Sequence, residues 1–397
     1  MEKSFSKNDS ERKKRVLLVG MGADIGSNLL YLCATTDVAY PITDILTHPI
    51  ESEGVGAANR NSLDELQARL LLANPLLINK ICIDSYRNQL IINGRTFSIH
   101  FCDFNTEIDL TDLGKFELAV LATSRKHIRS RACLNKLESI ARIVIGVAEN
   151  SSLPAIYPAL LSAPTAHFLA GRAVNSNELA GSFAMGSCQC VGWTAGIRIL
   201  ADYCARQEVR LHDVLIHTEI DIIHPDTASS NFGTVRIGSR TEDPRDNLRP
   251  GVSQVADSML RFPPSTSMNS VSLRVLSQPP GYQIQRFFLR GINVSANELI
   301  DVAKTLETIE PAIVYVTDMP VGSRVYSSLP VSMVLIATEQ HLSIRRIGDV
   351  VEVIIQAYIH NTLGYCAAIL SATDRILCGG NITLIDSNHP TTSEVQK

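Results

Sequence analysis

"RVLLVGMGADIGSNLLYLCATT", residues 15–36, changes texture twice. Val16 to Val19 is a short, wholly apolar run, which reads as a buried parallel strand. The turn Gly20-Met21-Gly22-Ala23-Asp24-Ile25-Gly26 follows. Then a helical pattern gathers Leu29, Leu30, Leu32 and Cys33 on one side. The next stretch, "YPITDILTH", is a second strand, and it carries Asp44. A β-α-β unit of about 30 residues results. Glycines at such a turn let a diphosphate meet the N-terminus of the helix. An acidic residue about 20 positions on is placed to bond a ribose hydroxyl and to repel a 2′-phosphate. The expectation is therefore a dinucleotide site using Gly20, Gly22, Ile25 and Asp44, with NAD favoured and NADP possible. The turn is one residue longer than G-x-G-x-x-G, and an ordinary α/β turn is the alternative.

Working outward, "NQLIINGRTFSIHF" is a hairpin around Asn93-Gly94, a favoured two-residue turn. "FELAVLATS" and "ARIVIGVA" are further buried strands. From about Arg210 long alternating strands take over: "LHDVLIHTEIDII", "NSVSLRVLS", "IQRFFLRGINV" and the run from Ser332 to Ile359. Ser295 with Glu298 reads as a capping box opening a helix. "NTLGYCAAILSATDRIL" is the last helix. The fold class is α/β plus α+β: a Rossmann-type doubly wound parallel sheet, then an antiparallel-sheet catalytic domain, with a closing helix that returns to the first domain. The expected boundaries are a polar tail at 1–14, a nucleotide domain at 15–186 completed by 361–380, a catalytic and oligomerisation domain at 187–360, and a polar tail at 381–397.

Bulk properties narrow the function. At 397 residues two domains are expected. Apolar residues are 45%, charged residues 19% and net charge −4, which is ordinary for a soluble globular chain and unlike a nucleic-acid binder with a basic face. The one dense basic run, Arg12 to Arg15, reads as a solvated tail. No apolar run is long enough to span a membrane, and the polar N-terminus is no secretory signal. Nine scattered cysteines lack the spacing of a structural zinc site. Free thiols in a reducing cytoplasm fit best.

"GSCQCVGWTAGIRIL", residues 186–200, carries the chemistry. A thiolate at a helix N-terminus is stabilised by the dipole and the free N–H groups, and a nearby histidine can take its proton. Cys188 opens the helix and is the favoured nucleophile. Cys190 is the alternative, and two inert buried thiols are the bland reading. His224 is the favoured base and His217 the runner-up. They are seven residues apart on one strand, so they face opposite ways and cannot both serve. Trp193 reads as core and His48 as a loop residue.

Several strings in one order now resemble the glyceraldehyde-3-phosphate dehydrogenase superfamily over nearly the whole chain. "LIINGRTFSIHFCDF" is similar to its strand pair. "LTDLGKFELAVLATS" resembles the segment ending in its Thr-Gly beside the cofactor, with Thr123 kept and Ser124 in place of the glycine. "RAVN" (172–175) resembles its Gly-Val-Asn. "HPDTA" (224–228) resembles its His-Ala-Tyr-Thr-Ala, and "HNTLGYCAAIL" resembles the Asn-Glu-Trp-Gly-Tyr that starts its closing helix. The resemblance implies Cys188 as nucleophile and His224 as base. It implies Asn361 holding the nicotinamide carboxamide with Tyr365 beside the ring. Ser187, Thr227, Arg249 and Gly251 would bind an anionic substrate. The family's anion loop is replaced here by Leu248-Arg249-Pro250-Gly251, and Arg236, Arg240 and Arg245 lie near it in sequence. That cluster reads either as an anion site or as inter-subunit salt bridges.

The expectation is a cytoplasmic, NAD-linked aldehyde dehydrogenase or acyl reductase. It would form a cysteine thioester on an anionic small molecule or carrier-bound acyl group, in a biosynthetic rather than glycolytic role. The resemblance implies a homo-oligomer, a tetramer or dimer. Alternatives are a non-redox binding module and a cysteine acyl-transfer protein on the same fold.

Overall fold

A computed structural model of the chain describes residues 14–21, 24–49, 62–102, 110–161, 171–226, 248–262 and 266–387. In chain order the first half contains β1 (Val16–Val19), α1 (Asp24–Thr35), β2 (Ile42–Thr47), α2 (Ser62–Ala73), β3 (Ile81–Asp84), β4 (Gln89–Ile92), β5 (Arg95–Phe101), β6 (Phe116–Leu121), α3 (Arg125–Arg129), α4 (Arg131–Glu138), β7 (Ala141–Gly146), β8 (Gly171–Asn175) and β9 (Gly181–Ala184). Eight of these strands and hairpin arms form one sheet, ordered β3-β4-β5-β2-β1-β6-β7-β9. From β5 to β9 every neighbour is parallel. The strands read as apolar runs because both faces are covered, and Val16 to Val19 are wholly buried. Chain growth reverses direction at β1, so the loops after β1 and β6 leave side by side. Open α/β sheets bind ligands at that crevice. The expected hairpin is there: Asn93 and Gly94 both take positive φ, 51° and 80°, as a two-residue hairpin turn demands.

The second half contains α5 (Cys188–Arg206), α6 (Leu211–Val214), β10 (Leu215–Asp226), β11 (Arg249–Pro250), α7 (Val255–Met259), β12 (Ser267–Leu276), β13 (Gly281–Arg290), α8 (Ala296–Ile309), β14 (Val314–Thr317), β15 (Met333–Ile336), β16 (Leu342–Ile347), β17 (Val350–Ile359), α9 (Leu363–Cys378) and β18 (Asn381–Ile385). A second sheet runs β11-β12-β10-β13-β17-β15-β14, with β16 also on β17. The expected all-antiparallel sheet needs correction. β10 and β12 pair in parallel, as do β14 and β15, because long connections separate the members of each pair. Helix α5 packs on this sheet beside α8. Trp193 is fully buried in α5, edge-on to Phe262 at 4.9 Å, so it is core as expected.

The closing helix does return. In α9, Asp374 accepts the backbone N–H groups of Ala39 and Tyr40 at 2.9 and 2.8 Å, just beyond α1. The expected polar tail from residue 381 is a second correction. Asn381 to Ile385 form β18, antiparallel to β8, and Ile382, Leu384 and Ile385 are buried. Its apolar residues find cover only through a partner strand some 200 residues away in sequence, which no local pattern announces.

Candidate functional site

The starts of three helices, α5, α9 and α1, are tied together. Helix α5 starts at Cys188, and its cap Ser187 accepts the Cys190 N–H at 3.3 Å. The preceding Gly186 sits at φ +73°, a left-handed conformation that favours glycine. Its carbonyl accepts the Tyr365 hydroxyl at 2.6 Å, which ties the first turn of α9 to the start of α5. One residue on, the Cys366 thiol donates to the Ile25 carbonyl at 3.4 Å, which ties α9 to the start of α1. Burial pushes the Tyr365 hydroxyl well up, and the Cys188 sulfur beside it adds to the effect. Burial does the same to Cys366, reinforced by Asp24 and Cys188. Each helix start carries a partial positive charge and free N–H groups.

The two candidate thiols differ sharply. Cys188 is half-buried at the first helical position, whereas Cys190 is fully buried. Burial pushes the Cys190 thiol far up, and the neighbouring Glu149 carboxylate pushes it further. Cys190 is thereby held as a neutral thiol.

His224 and His217 lie on opposite faces of β10, as their odd spacing requires. Thr218, Ile220, Ile222 and His224 are buried on one face. His217 is on the other, with Nε2 3.1 Å from the Glu219 carboxylate. At about 3.3 Å per residue the two rings are roughly 23 Å apart along the strand. The His224 end of β10 adjoins the start of α5. The Gln283 amide on β13 donates to the backbone and side-chain oxygens of Gln189 at 2.8 and 2.7 Å. A methyl on the nearby Gly281 would fall 2.8 Å from both the Ile223 carbonyl and the Pro225 ring, and 3.5 Å from Gln189 Nε2. His224 Nδ1 lies 3.0 Å from the Pro225 carbonyl. A carbonyl only accepts, so Nδ1 carries the hydrogen, and in the neutral ring Nε2 is the basic nitrogen.

Across the sheet, His224 pairs in register with Arg274 on β12, and Arg274 pairs with Arg249 on β11. Gly251 donates its N–H to Ser272 O at 2.8 Å. The backbone of the expected substrate residues Arg249 and Gly251 thus lies at and just beyond β11, two strands from the base. Arg274 is the residue the sequence reading missed. Its signal was present: Ser270, Ser272 and Arg274 put polar groups at alternate positions, on the face that β10 buries. Thr227, Arg236, Arg240 and Arg245 lie outside the described residues, as does Gly22 of the glycine turn.

The expected cofactor residues divide. Gly20 has φ +88°, and a methyl there would fall 2.4 Å from the Thr123 side chain. Gly20 and Thr123 therefore face each other at the crevice between β1 and β6, with the Thr123 hydroxyl 2.8 Å from His127 Nδ1. Asn361 is only 7% exposed, and its Oδ1 has no hydrogen-bond partner. A buried unpaired amide oxygen is costly, and a ligand amide would satisfy it. Ile25 stands at the meeting of α1 and α9 described above.

Asp44 needs correction. It lies mid-strand, three residues short of the carboxyl end of β2, level with Leu17 and away from the glycine turn. Arg15 Nη2 at 2.7 Å, the Thr43 hydroxyl at 2.6 Å and His100 Nε2 at 3.0 Å already engage its carboxylate. Burial alone would raise its pKa, but these three partners hold it below the usual carboxylate value. Asp44 is occupied within the sheet, so the preference for NAD over NADP loses the residue it rested on. His48, at the true end of β2, is an exposed loop residue as expected.

No family model matches the chain, and no curated protein matches it.

Proposed function

We propose that the chain is a thiol-dependent aldehyde dehydrogenase or acyl reductase with a doubly wound, Rossmann-type nucleotide domain, of the glyceraldehyde-3-phosphate dehydrogenase type. The observation that carries this is a half-buried Cys188 at the first position of α5, with the His224 end of β10 beside that helix start, while burial drives Cys190 two residues on towards the neutral thiol. The strand order, which reverses at β1 with Gly20 and Thr123 at the reversal, supports the nucleotide domain.

His224 Nε2 takes the proton from Cys188, and the thiolate adds to the aldehyde carbon. The N–H groups of the first turn of α5 receive the oxyanion of the hemithioacetal. A nicotinamide cofactor, when bound, would supply the hydride acceptor for thioester formation, or the hydride donor for the reverse reaction. His224 releases the thiol proton to solvent and, neutral again, deprotonates the incoming acyl acceptor. Asn361 Oδ1 would receive the carboxamide N–H of that cofactor, and Gly20, Gly22, Ile25 and Thr123 would shape its site. Tyr365 holds the Gly186 carbonyl and so the start of α5. Arg274, Arg249 and Gly251, with Ser187 and Thr227, would hold an anionic substrate. NAD and NADP remain equal candidates.

The outer face of the second sheet carries the half-buried Ile223, Tyr282, Ile284 and Phe288. The same face carries the ion pairs Arg286–Asp221 and His217–Glu219, and this mixed face suits a second copy of the chain in the homo-oligomer. All nine cysteines are free, which supports a reducing, cytoplasmic setting. Among the described residues no helix is long and apolar enough to cross a membrane.

A second reading keeps the activated thiol without redox chemistry, as an acyl-transfer protein. The engaged Asp44 favours it, since one expected ribose contact is gone. The deciding experiment is the iodoacetamide labelling rate of Cys188 against pH, with peptide mapping, with and without NAD or NADP. Fast labelling near neutral pH that either cofactor alters is the expected result. Fast labelling indifferent to both cofactors selects acyl transfer. Slow labelling that rises only above the ordinary thiol pKa overturns both readings.

A further inference from the structure

We propose that Glu149 is a positioning residue whose buried carboxylate, clamped by Arg261, Tyr157 and Ser258, makes Cys188 rather than Cys190 the reactive thiol. The proposal rests on Cys188 being the nucleophile.

The Glu149 and Arg261 side chains are both fully buried. Arg261 Nε and Nη2 reach Glu149 Oε1 at 3.0 and 2.6 Å, and the Tyr157 and Ser258 hydroxyls donate to Oε2 at 2.8 and 2.7 Å. Four donors on one carboxylate fix its position. The backbone of Glu149 is pinned as well. Its N–H donates to the Gln254 side chain at 2.8 Å, and its carbonyl accepts from Arg125 Nε at 3.4 Å. The cluster therefore joins the loop after β7 to α7.

This cluster lies against the nucleophile loop from beneath. A methyl on Gly186 would fall 2.9 Å from both Cys190 Sγ and Tyr157 Cε1, so the loop, the inner sulfur and the Tyr157 ring are packed together. Both sulfurs stand in the first turn of α5 and share its positive end, which favours ionisation of either. The helix alone does not choose between them. Burial already favours the proton on the inner sulfur, and a fixed negative charge beside it adds to that, because two negative charges close together in a dry site repel. The proton stays on Cys190, and the thiolate forms at Cys188. The ionisable and charged groups that face this pair are Glu149, Arg261 and Tyr157, Tyr365 and Cys366 from α9, and His224 from the end of β10.

The test is alkylation of the full chain over pH 5–10 with iodoacetamide and the smaller methyl methanethiosulfonate, with peptide mapping to separate the two cysteines. In the unaltered protein Cys188 should label and Cys190 stay silent; an unreactive Cys188 there would mean that the dehydrogenase reading itself has failed. In Glu149→Gln the unmatched Arg261 charge should recruit Cys190. Labelling of Cys188 at pH 7 should fall at least about tenfold, and Cys190 should begin to label. Glu149→Asp keeps the charge while disturbing the packing, and should restore Cys188 labelling to within about threefold. Equal losses in the Gln and Asp variants would make the role packing alone and overturn the proposal, as would an unchanged Cys188 profile in a folded Gln variant. Should the Gln variant not fold, Ser258→Ala and Tyr157→Phe each remove one donor from Oε2. Both also remove a hydrogen bond that favours the Cys190 thiolate and leave the Glu149 charge in place, so Cys190 should stay silent and Cys188 labelling stay within about threefold; labelling of Cys190 in either variant overturns the proposal.

Discussion

The two halves of the site use buried polar groups in opposite ways. On the thiol side several side-chain atoms are buried without partners: Gln189 Nε2, Ser272 Oγ and Asn361 Oδ1. On the β2 side the acidic residue is fully engaged, with Arg15, Thr43 and His100 closing on Asp44. A protein that leaves buried amide and hydroxyl groups unpaired carries a stability cost of about 1–3 kcal/mol for each. Such costs concentrate where a ligand will supply the missing partner. Ser176, Trp193 and Ser332 also bury unpaired atoms elsewhere, so an unpaired group counts only where other site residues gather round it.

The largest expected effect breaks the symmetry of the cysteine pair. Cys188→Ser should lower turnover of any accepted aldehyde by at least about 10⁴-fold, whereas Cys190→Ser should keep it within about tenfold. Steady-state kinetics with acidic aldehydes checks this, and equal losses would erase the distinction between the outer and inner thiol. Next, Asn361→Leu should weaken cofactor binding about tenfold while leaving the melting temperature unchanged or slightly raised, because it removes an unpaired buried oxygen. Fluorescence titration together with thermal melts reads both. A destabilised variant with unchanged affinity would make Asn361 structural.

The smallest effect concerns Asp44. Asp44→Asn should leave cofactor affinity unchanged and cost about 1–3 kcal/mol of stability at pH 7. The folded-state pKa of Asp44 lies below its unfolded value, so its contribution is present above about pH 4 and is lost as pH falls through the folded value. Denaturant unfolding of both proteins should therefore show the difference at pH 7 shrinking towards pH 3. A variant that loses cofactor affinity instead would return Asp44 to the binding site.

What was legible in the sequence followed from short-range physics. The Asn93-Gly94 turn needs two positive φ angles, and few residue pairs accept them. The opposed faces of His217 and His224 follow from the two-residue period of any strand. Gly20 followed from the strand-turn-helix texture, and so did the helix start at Cys188. Asp44 misled because the pattern locates an acid in sequence but not along the strand. Two or three residues, about 10 Å, separate a ribose contact from a partner for Arg15. Arg274 was missed because its position matters only once β10 and β12 lie in register.

By itself, then, the sequence determined the alternation of elements, the turn chemistry and the two candidate thiols, all set by neighbours within a few residues. Only the tertiary structure decided which thiol stays neutral, where β18 finds its partner, and that Asp44 is occupied. Those outcomes depend on burial and on charges brought together from distant positions: Glu149 against Cys190, β8 against β18, Arg15 and His100 against Asp44. Desolvation and Coulomb interactions act through space, so no local pattern of residues encodes them.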